Sequence, residues 1–316
     1  MKDSTLYIVI PCYNEEEVLV QTSSEMEILM DRMMSENLIS QKSKVMFVDD
    51  GSKDTTWSII QSLCKENSLF SGVKLSRNRG HQNALLAGLA VANKYADMTV
   101  SIDADLQDDI NAIEEMVVKY HGGADIVYGV RGDRRSDSFA KKTTAVMFYK
   151  VMKMMGADTV YNHADCRLMS RRALSVLLEF DEVNLYLRGM VPLVGFPTDT
   201  VVYERKSRMA GESKYPLKAM IKLAVNGITS MSVKPLNLIF STGIVVLAVS
   251  ILLLLISVCR ADILQTLAII SSVFIVGGLQ LIAIGIVGEY VGKTYSETKH
   301  RPKFIISDII LDEEVQ

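Results

Sequence analysis

The chain has 316 residues, 34 basic and 37 acidic side chains, and a formal net charge of −3. Hydrophobic residues make up 49% and charged residues 22%, which excludes disordered, collagen-like and simple coiled-coil classes. The length suits one large or two ordinary domains, and with no basic surplus, nucleic acid is not expected as a partner.

Residues 1–130 alternate short β-branched runs with longer helical patterns, which predicts βαβ units around a mostly parallel sheet. The first strand, Tyr7–Ile10, ends at Pro11 and lacks the basic start and long core of a secretory signal. A helical pattern follows over Glu15–Met34. Val45–Val48 is the second strand, ending in Asp49-Asp50-Gly51-Ser52, with a helix over Thr55–Asn67. Val73–Leu75 is the third, followed by Asn78–Gly80 and a helix over Asn83–Lys94. Met98–Ile102 is the fourth, ending in Asp103-Ala104-Asp105, and Ile126–Tyr128 the fifth, ending in Gly129-Val130-Arg131. Ligands of open α/β sheets bind beyond the carboxyl ends of strands, where these polar residues cluster.

Beyond Gly132 the pattern changes. Phe139–Met155 and Tyr215–Ser230 read as basic amphipathic helices, the second placed to lie in a membrane interface and the first equally readable as a packed domain helix. Leu236–Val258 and Leu264–Val287 are uncharged runs of 23 and 24 residues, each long enough to cross a bilayer. Lys214, Lys218, Lys222 and Lys234 precede the first run, and Lys293, Lys299, Arg301 and Lys303 follow the second. This bias predicts a multi-pass protein of the plasma membrane with both termini cytoplasmic and a short outer turn at Cys259–Ile263. The expected division is a catalytic domain over 1–200, a loop and interface helix over 201–235, two spans over 236–292 and a cytosolic tail over 293–316. Pro302–Leu311 reads as a strand too apolar to hang free. A strand edge recruits another, and Gly277, Gly278, Gly285 and Gly288 allow close helix approach, so the tail is expected to cross between subunits of a homo-oligomer, the alternative being that it packs on its own catalytic domain and the glycines pair the two spans of one chain. Cys12, Cys64, Cys166 and Cys259 lack metal-ligand spacing and read as free thiols in a reducing compartment.

The Asp103-Ala104-Asp105 turn can converge two carboxylates on a divalent cation, although acidic turns are common without one. Asn78–Gly80 before His81-Gln82-Asn83 can receive a phosphate at a helix start or be an ordinary loop. No GxGxxG follows the first strand, and neither a Walker A sequence nor HExxH occurs.

Taken together, Ile8-Val9-Ile10-Pro11-Cys12-Tyr13-Asn14-Glu15-Glu16, Val48-Asp49-Asp50-Gly51-Ser52-Lys53-Asp54 and Asp103-Ala104-Asp105-Leu106-Gln107 resemble the signatures of glycosyltransferase family 2, which has the GT-A fold. Asn162-His163-Ala164-Asp165-Cys166-Arg167-Leu168-Met169, the Arg208–Tyr215 segment and the apolar tail are similar to its polyprenyl-phosphate branch, with Cys166 where an aromatic residue is expected. The resemblance implies an α/β catalytic domain, interface helices and a transmembrane hairpin. It implies donor contacts from Pro11, Tyr13, Glu15, Val48, Asp50, Asp103, Ala104, Arg208 and Lys214. It further implies that Asp103, Asp105 and Gln107 hold Mg²⁺ or Mn²⁺ with the diphosphate, and that Arg131, Arg134 and Arg167 serve the acceptor phosphate. Asp165, with Asp105, is the candidate catalytic carboxylate, as a general base or as a group that orients Arg167 or the sugar.

The implied reaction is inverting transfer of one sugar to undecaprenyl phosphate at the cytoplasmic face. UDP-glucose leads as donor, with UDP-N-acetylglucosamine or another nucleotide-sugar as alternatives. A homo-oligomer, a tetramer being the size the resemblance suggests, would act with a separate flippase and a downstream transferase. The lone tryptophan, Trp57, lies in an early helix, which removes the QxxRW motif of processive synthases. An inactive GT-A membrane scaffold is the remaining alternative.

Overall fold

The computed structural model describes residues 3–132, 154–155, 163–204, 225, 227–257 and 263–311. By chain contacts it divides into one unit of Met1–Val146, Thr159–Tyr215 and Pro302–Gln316, and a second of Met147–Asp158 and Pro216–Arg301.

The first unit is built on an eight-stranded sheet in the order β7-β5-β6-β4-β1-β2-β3-β8. Its strands are β1 Leu6–Cys12, β2 Lys44–Asp49, β3 Phe70–Leu75, β4 Met98–Ser101, β5 Ile126–Arg131, β6 His163–Ser170, β7 Thr198–Tyr203 and β8 Ile306–Ile310. Strands β1 to β4 pair in parallel, and β5 pairs in parallel with β7. Every residue of β1 is buried, as expected for a central strand covered on both faces. Helices α1 Leu19–Ser35, α2 Thr56–Glu66, α3 His81–Ala92 and α4 Ala112–His121 follow the first four strands. The close approach of α3 rests on Gly88, where a Cβ would sit 2.5 Å from side-chain carbons of both Val9 and Val48.

Strand β6 runs antiparallel to β4 and β5. That reversal brings its amino-terminal residues, His163 to Asp165, to the edge where the parallel strands end. Its far end enters helix α5, Arg171–Leu178, capped by Ser170, whose Oγ accepts the Ala173 amide at 3.2 Å. Helix α6, Leu187–Leu193, completes the unit. Neither β6 nor β7 is expected from the sequence, whereas the first five strands are found where expected.

Asp125, at the foot of β5, ties this corner together. It accepts hydrogen bonds from Ser170 Oγ at 2.7 Å and Arg172 Nε at 2.6 Å. The Arg172 hydrogen bond, against an opposing burial effect, holds its carboxyl below the ordinary value. Asp125→Ala should destabilise the unit by about 1–3 kcal/mol, the cost of orphaning buried partners. A depressed folded pKa stabilises the folded state above the unfolded pKa and loses that effect as pH falls. The gap in Tm between wild type and variant should therefore begin to narrow as pH falls below about 4, the unfolded carboxyl value, and go on narrowing through the lower folded value. A gap independent of pH would show that the charge contributes nothing.

Strand β8 lies antiparallel to β3 of its own chain, with Val73 opposite Ile309 and Lys74 opposite Asp308. The tail thus pairs with the edge of its own sheet, the alternative to its expected crossing into a neighbouring subunit. In the second unit, α7 Lys234–Ser257 and α8 Ile263–Thr298 show that both long apolar runs are helical. Within α8, Ile275–Thr298 is long and apolar enough to cross a membrane. At its base, Tyr290 Oη donates to the Ser232 carbonyl at 2.6 Å, and Lys293 Nζ to Thr229 Oγ1 at 2.6 Å. Most of the predicted helices over 139–155 and 215–230 lies outside the described residues, as do Arg134, Cys259, Arg208 and Lys214. Cys12, Cys64 and Cys166 are free thiols.

Candidate active site

The loops after β1 and β2 are interlocked. Asn14 takes the left-handed conformation at φ 54°, which lets its amide donate to Ser52 Oγ at 3.0 Å while its Oδ1 accepts the Lys53 amide at 2.9 Å. The Glu15 amide donates to Thr56 Oγ1 at 3.0 Å, and the Tyr13 ring is left 40% exposed. Asp49 and Asp50 are both buried. Asp49 Oδ1 caps the turn by accepting the Ser52 amide at 3.0 Å. Asp50 accepts the amides of Arg79 at 2.7 Å and Gly80 at 2.8 Å, so it shapes the loop between β3 and α3. Burial outweighs those bonds and raises its carboxyl above the ordinary value. Gly51 permits this arrangement: at φ +67°, any Cβ would lie 2.6–2.8 Å from the backbone of Arg77 and Asn78.

At the end of β4 the chain turns through Asp103-Ala104-Asp105, with Leu106 at φ 51°, a conformation that is strained for leucine. Thr22 Oγ1 anchors the turn by donating to the Ala104 carbonyl at 2.7 Å, and Asp105 Oδ1 accepts the Gln107 amide at 3.2 Å. Single ligand atoms of His81, Asp103 and Asp165 lie within 4.8 Å of one another, from α3, the end of β4 and the start of β6. Burial raises the Asp103 carboxyl to about 6; nearby Asp165, Asp108 and Asp105 add to the rise against the opposing effect of His81. Carboxylate oxygens with one imidazole suit a divalent ion such as Mg²⁺ or Mn²⁺, so this donor set fits one.

Asp165 is gripped from the other side. Arg188 on α6 donates from Nε to Oδ1 at 3.0 Å and from Nη2 to Oδ2 at 2.8 Å. Arg167 Nη2 reaches Oδ1 at 3.4 Å. Burial alone would raise the Asp165 carboxyl; Arg188 and then Arg167 overturn that and hold it well below the carboxylate range. Such a carboxylate is a poor proton acceptor and a good positioning group. Arg167 itself, expected at the acceptor phosphate, is 1% exposed, and its Nη1 lies 3.5 Å from the Leu187 carbonyl oxygen. It reaches Asp165 from inside the sheet. Val48, expected to contact the donor, is likewise 0% exposed, with its side chain in the core beside Gly88. Arg131, at the end of β5, donates from Nε to Asp108 Oδ1 at 3.1 Å and from Nη2 to Oδ2 at 3.3 Å. Asp108 is 2% exposed.

Three contributors escape sequence reasoning. Arg188 is an isolated cation in an apolar stretch, 23 positions from its partner. Asp108 follows the Asp103–Gln107 segment directly, with nothing local to mark it as the partner of Arg131. His81 is visible only as a residue at a helix start.

A mostly parallel sheet with an acidic turn and facing arginines at its carboxyl edge is an arrangement that suits a GT-A glycosyltransferase. Residues 7–178 match the family described as Glycosyl transferase family 2, and the chain belongs to that family. It is 47% identical to an uncharacterized glycosyltransferase, YkoT, of Bacillus subtilis (strain 168), over 100% of this chain and 95% of that one. It is 36% identical to the bactoprenol glucosyl transferase of Shigella phage SfV, over 95% of this chain and 97% of that one. Among solved structures, the glucosyl-3-phosphoglycerate synthase of Mycobacterium tuberculosis in complex with Mn²⁺, UDP-glucose and phosphoglyceric acid superposes with a TM-score of 0.46 at 16% identity, covering 72% of this chain and 78% of that one.

Proposed function

We propose that this chain transfers one sugar from a nucleotide-sugar to a polyprenyl phosphate, with UDP-glucose as donor and undecaprenyl phosphate as acceptor. The observation that carries this reading is the convergence of His81, Asp103 and Asp165 at one sheet edge, with the Arg131 guanidinium, held by Asp108, close enough for its charge to act on Asp103. Such a site suits two phosphate-bearing substrates, one bound through a cation and one through the guanidinium protons that Asp108 does not take. The bactoprenol-named relative, similar over almost its full length, supports the lipid acceptor.

In this mechanism the nucleoside lies over Pro11, Tyr13 and Glu15, with the loop shaped by Asp50 beside it. Asp103, Asp105 and Gln107, with His81 and Asp165 beside Asp103, would hold a divalent cation, which when bound would offset charge on the leaving diphosphate. Ala104 contributes backbone to the same turn. Arg131 and Arg134 grip the acceptor phosphate, and Arg208 and Lys214 close on the donor. A phosphomonoester has a second pKa near 6, so at pH 7 the nucleophile is already largely dianionic. Its oxygen bonds to the anomeric carbon as the bond to the diphosphate breaks, inverting that centre, and no proton need be removed. Asp165, held by Arg188, aligns the sugar and the arginines around it.

Two apolar helices form a hairpin that fixes the catalytic unit at the cytoplasmic face of the plasma membrane. A separate flippase would then deliver the product to a downstream transferase. The enzyme works as a homo-oligomer, and light scattering in detergent should give a multiple of the 35.1 kDa chain mass.

The test is mass spectrometry of the lipid formed by the purified protein in vesicles containing undecaprenyl phosphate and a mixed nucleotide-sugar pool. A monohexosyl phospholipid made from UDP-glucose is expected. No glycolipid from any donor would overturn the reading. Arg131→Ala should raise the acceptor KM by roughly 10–100-fold, the loss of one charge-assisted contact, with the donor KM little changed. An effect on the donor alone would move Arg131 to the other substrate.

A further inference from the structure

Two separate segments deliver side chains to the site. Residues 76–82 lead from β3 to His81 and Gln82, and residues 180–188 lead from α5 to Arg188. They meet where Gln82 Oε1 accepts the Leu187 amide at 2.9 Å. The tail touches both. Beyond the β8–β3 ladder, the Ser76 amide donates to the Ile305 carbonyl at 2.9 Å, just before the loop held by Asp50. Lys303 Nζ donates to the Phe180 carbonyl at 2.6 Å, at the start of the other segment. The Lys303 side chain is 12% exposed, while the nearby Asp181 carboxylate, 3.6 Å away, is 85% exposed. The carbonyl bond is therefore the stronger tie, since an exposed ion pair adds little.

We propose that residues 302–311 form a positioning brace that holds the His81 and Arg188 segments in mutual register, with Lys303 and strand β8 as its working parts. The proposal rests on the site assignment above. Segments outside the sheet open locally at lower cost than core strands, and each neighbour that ties them down raises that cost. Here one short tail ties two of them, and a misplacement of about 1 Å can slow chemistry on the order of 10²-fold.

Hydrogen exchange and steady-state kinetics on the full-length protein, a chain ending at Arg301, and Lys303→Ala test this. Truncation should speed amide exchange at least about tenfold in both segments, at Arg79 and Gly80 and at Leu187. It should also raise the donor KM and lower kcat, each about tenfold. A synthetic peptide of residues 302–311 added in trans should restore protection and rate. Lys303→Ala should loosen only the 182–188 amides, and Lys303→Arg should restore them. A folded truncated chain with unchanged exchange in either segment overturns the brace. If the truncated chain does not fold, Lys303→Ala decides, and unchanged protection at Leu187 overturns it. Because exchange needs no turnover, a wild type that makes no glycolipid yet shows these exchange changes loses the reaction assignment and keeps the brace.

Discussion

Asp103→Asn should leave a folded, detergent-extractable protein whose sugar transfer is slower by roughly 10³-fold, the several kcal/mol that charge stabilisation of a leaving group commonly supplies. Stripping divalent ions from the wild type with EDTA should do the same, and Mn²⁺ should restore the wild type but not the variant. The expectation follows from position. Asp103 stands at a β4 end, with His81 Nε2 3.5 Å from its Oδ1 and the charges of Asp165, Asp108 and Asp105 around it. Removing one of several like charges relieves repulsion, so thermal stability should hold or rise while activity collapses. That opposition separates a functional carboxylate from a structural one. Mn²⁺ binding, read by electron paramagnetic resonance, should weaken in parallel in Asp103→Asn and in His81→Ala. Full wild-type activity in EDTA, with Asp103→Asn equally active, would remove the metal from the reaction.

What could be read in the sequence follows from how each element is buried. Strands β1 to β5 stand out because burial on both faces demands unbroken runs such as Leu6–Ile10 and Val45–Val48, each closed by polar residues. Strand β6 hides because it reads His-Ala-Asp-Cys-Arg-Leu-Met-Ser, with a fully buried arginine in the middle. An isolated arginine in that run carries no strand signal; only the carboxylate and carbonyl around it make burial tolerable. The tail strand was legible from its apolar residues, but its partner was not, since any open edge would serve. The same limit applies to the site. The acidic turns announce themselves locally, whereas His81, Arg188 and Asp108 acquire meaning only through partners on other elements. Gly51 shows a third kind of gap: the turn signature suggests a glycine, but its necessity comes from a loop 26 residues later passing within van der Waals contact.

Asp165 and Arg188 should behave as one unit. Asp165→Ala removes the carboxylate that offsets the charge of Arg167, a guanidinium 1% exposed, and leaves it with the Leu187 carbonyl oxygen at 3.5 Å. Breaking such a buried pair from one side costs about 3–5 kcal/mol, so Asp165→Ala should lower Tm more than most single changes in the domain. Asp165→Asn keeps the shape and one acceptor, and its stability loss should be smaller. For turnover, two mechanisms make different demands. A general base would be replaced at a cost of about 10²–10⁴ in kcat, and Arg188→Ala, by freeing its carboxylate to take a proton, would not mimic that loss. A positioning carboxylate predicts that Asp165→Asn and Arg188→Ala lower kcat by similar factors, because each dissolves the same two-bond fork. The double variant then loses little more than either single one, with a coupling energy of about 1–3 kcal/mol. Since the acceptor phosphate arrives already ionised at pH 7, the positioning outcome is the expected one. Additive losses in the double variant, with Arg188→Ala near wild type and Asp165→Asn nearly dead, would return Asp165 to the role of base.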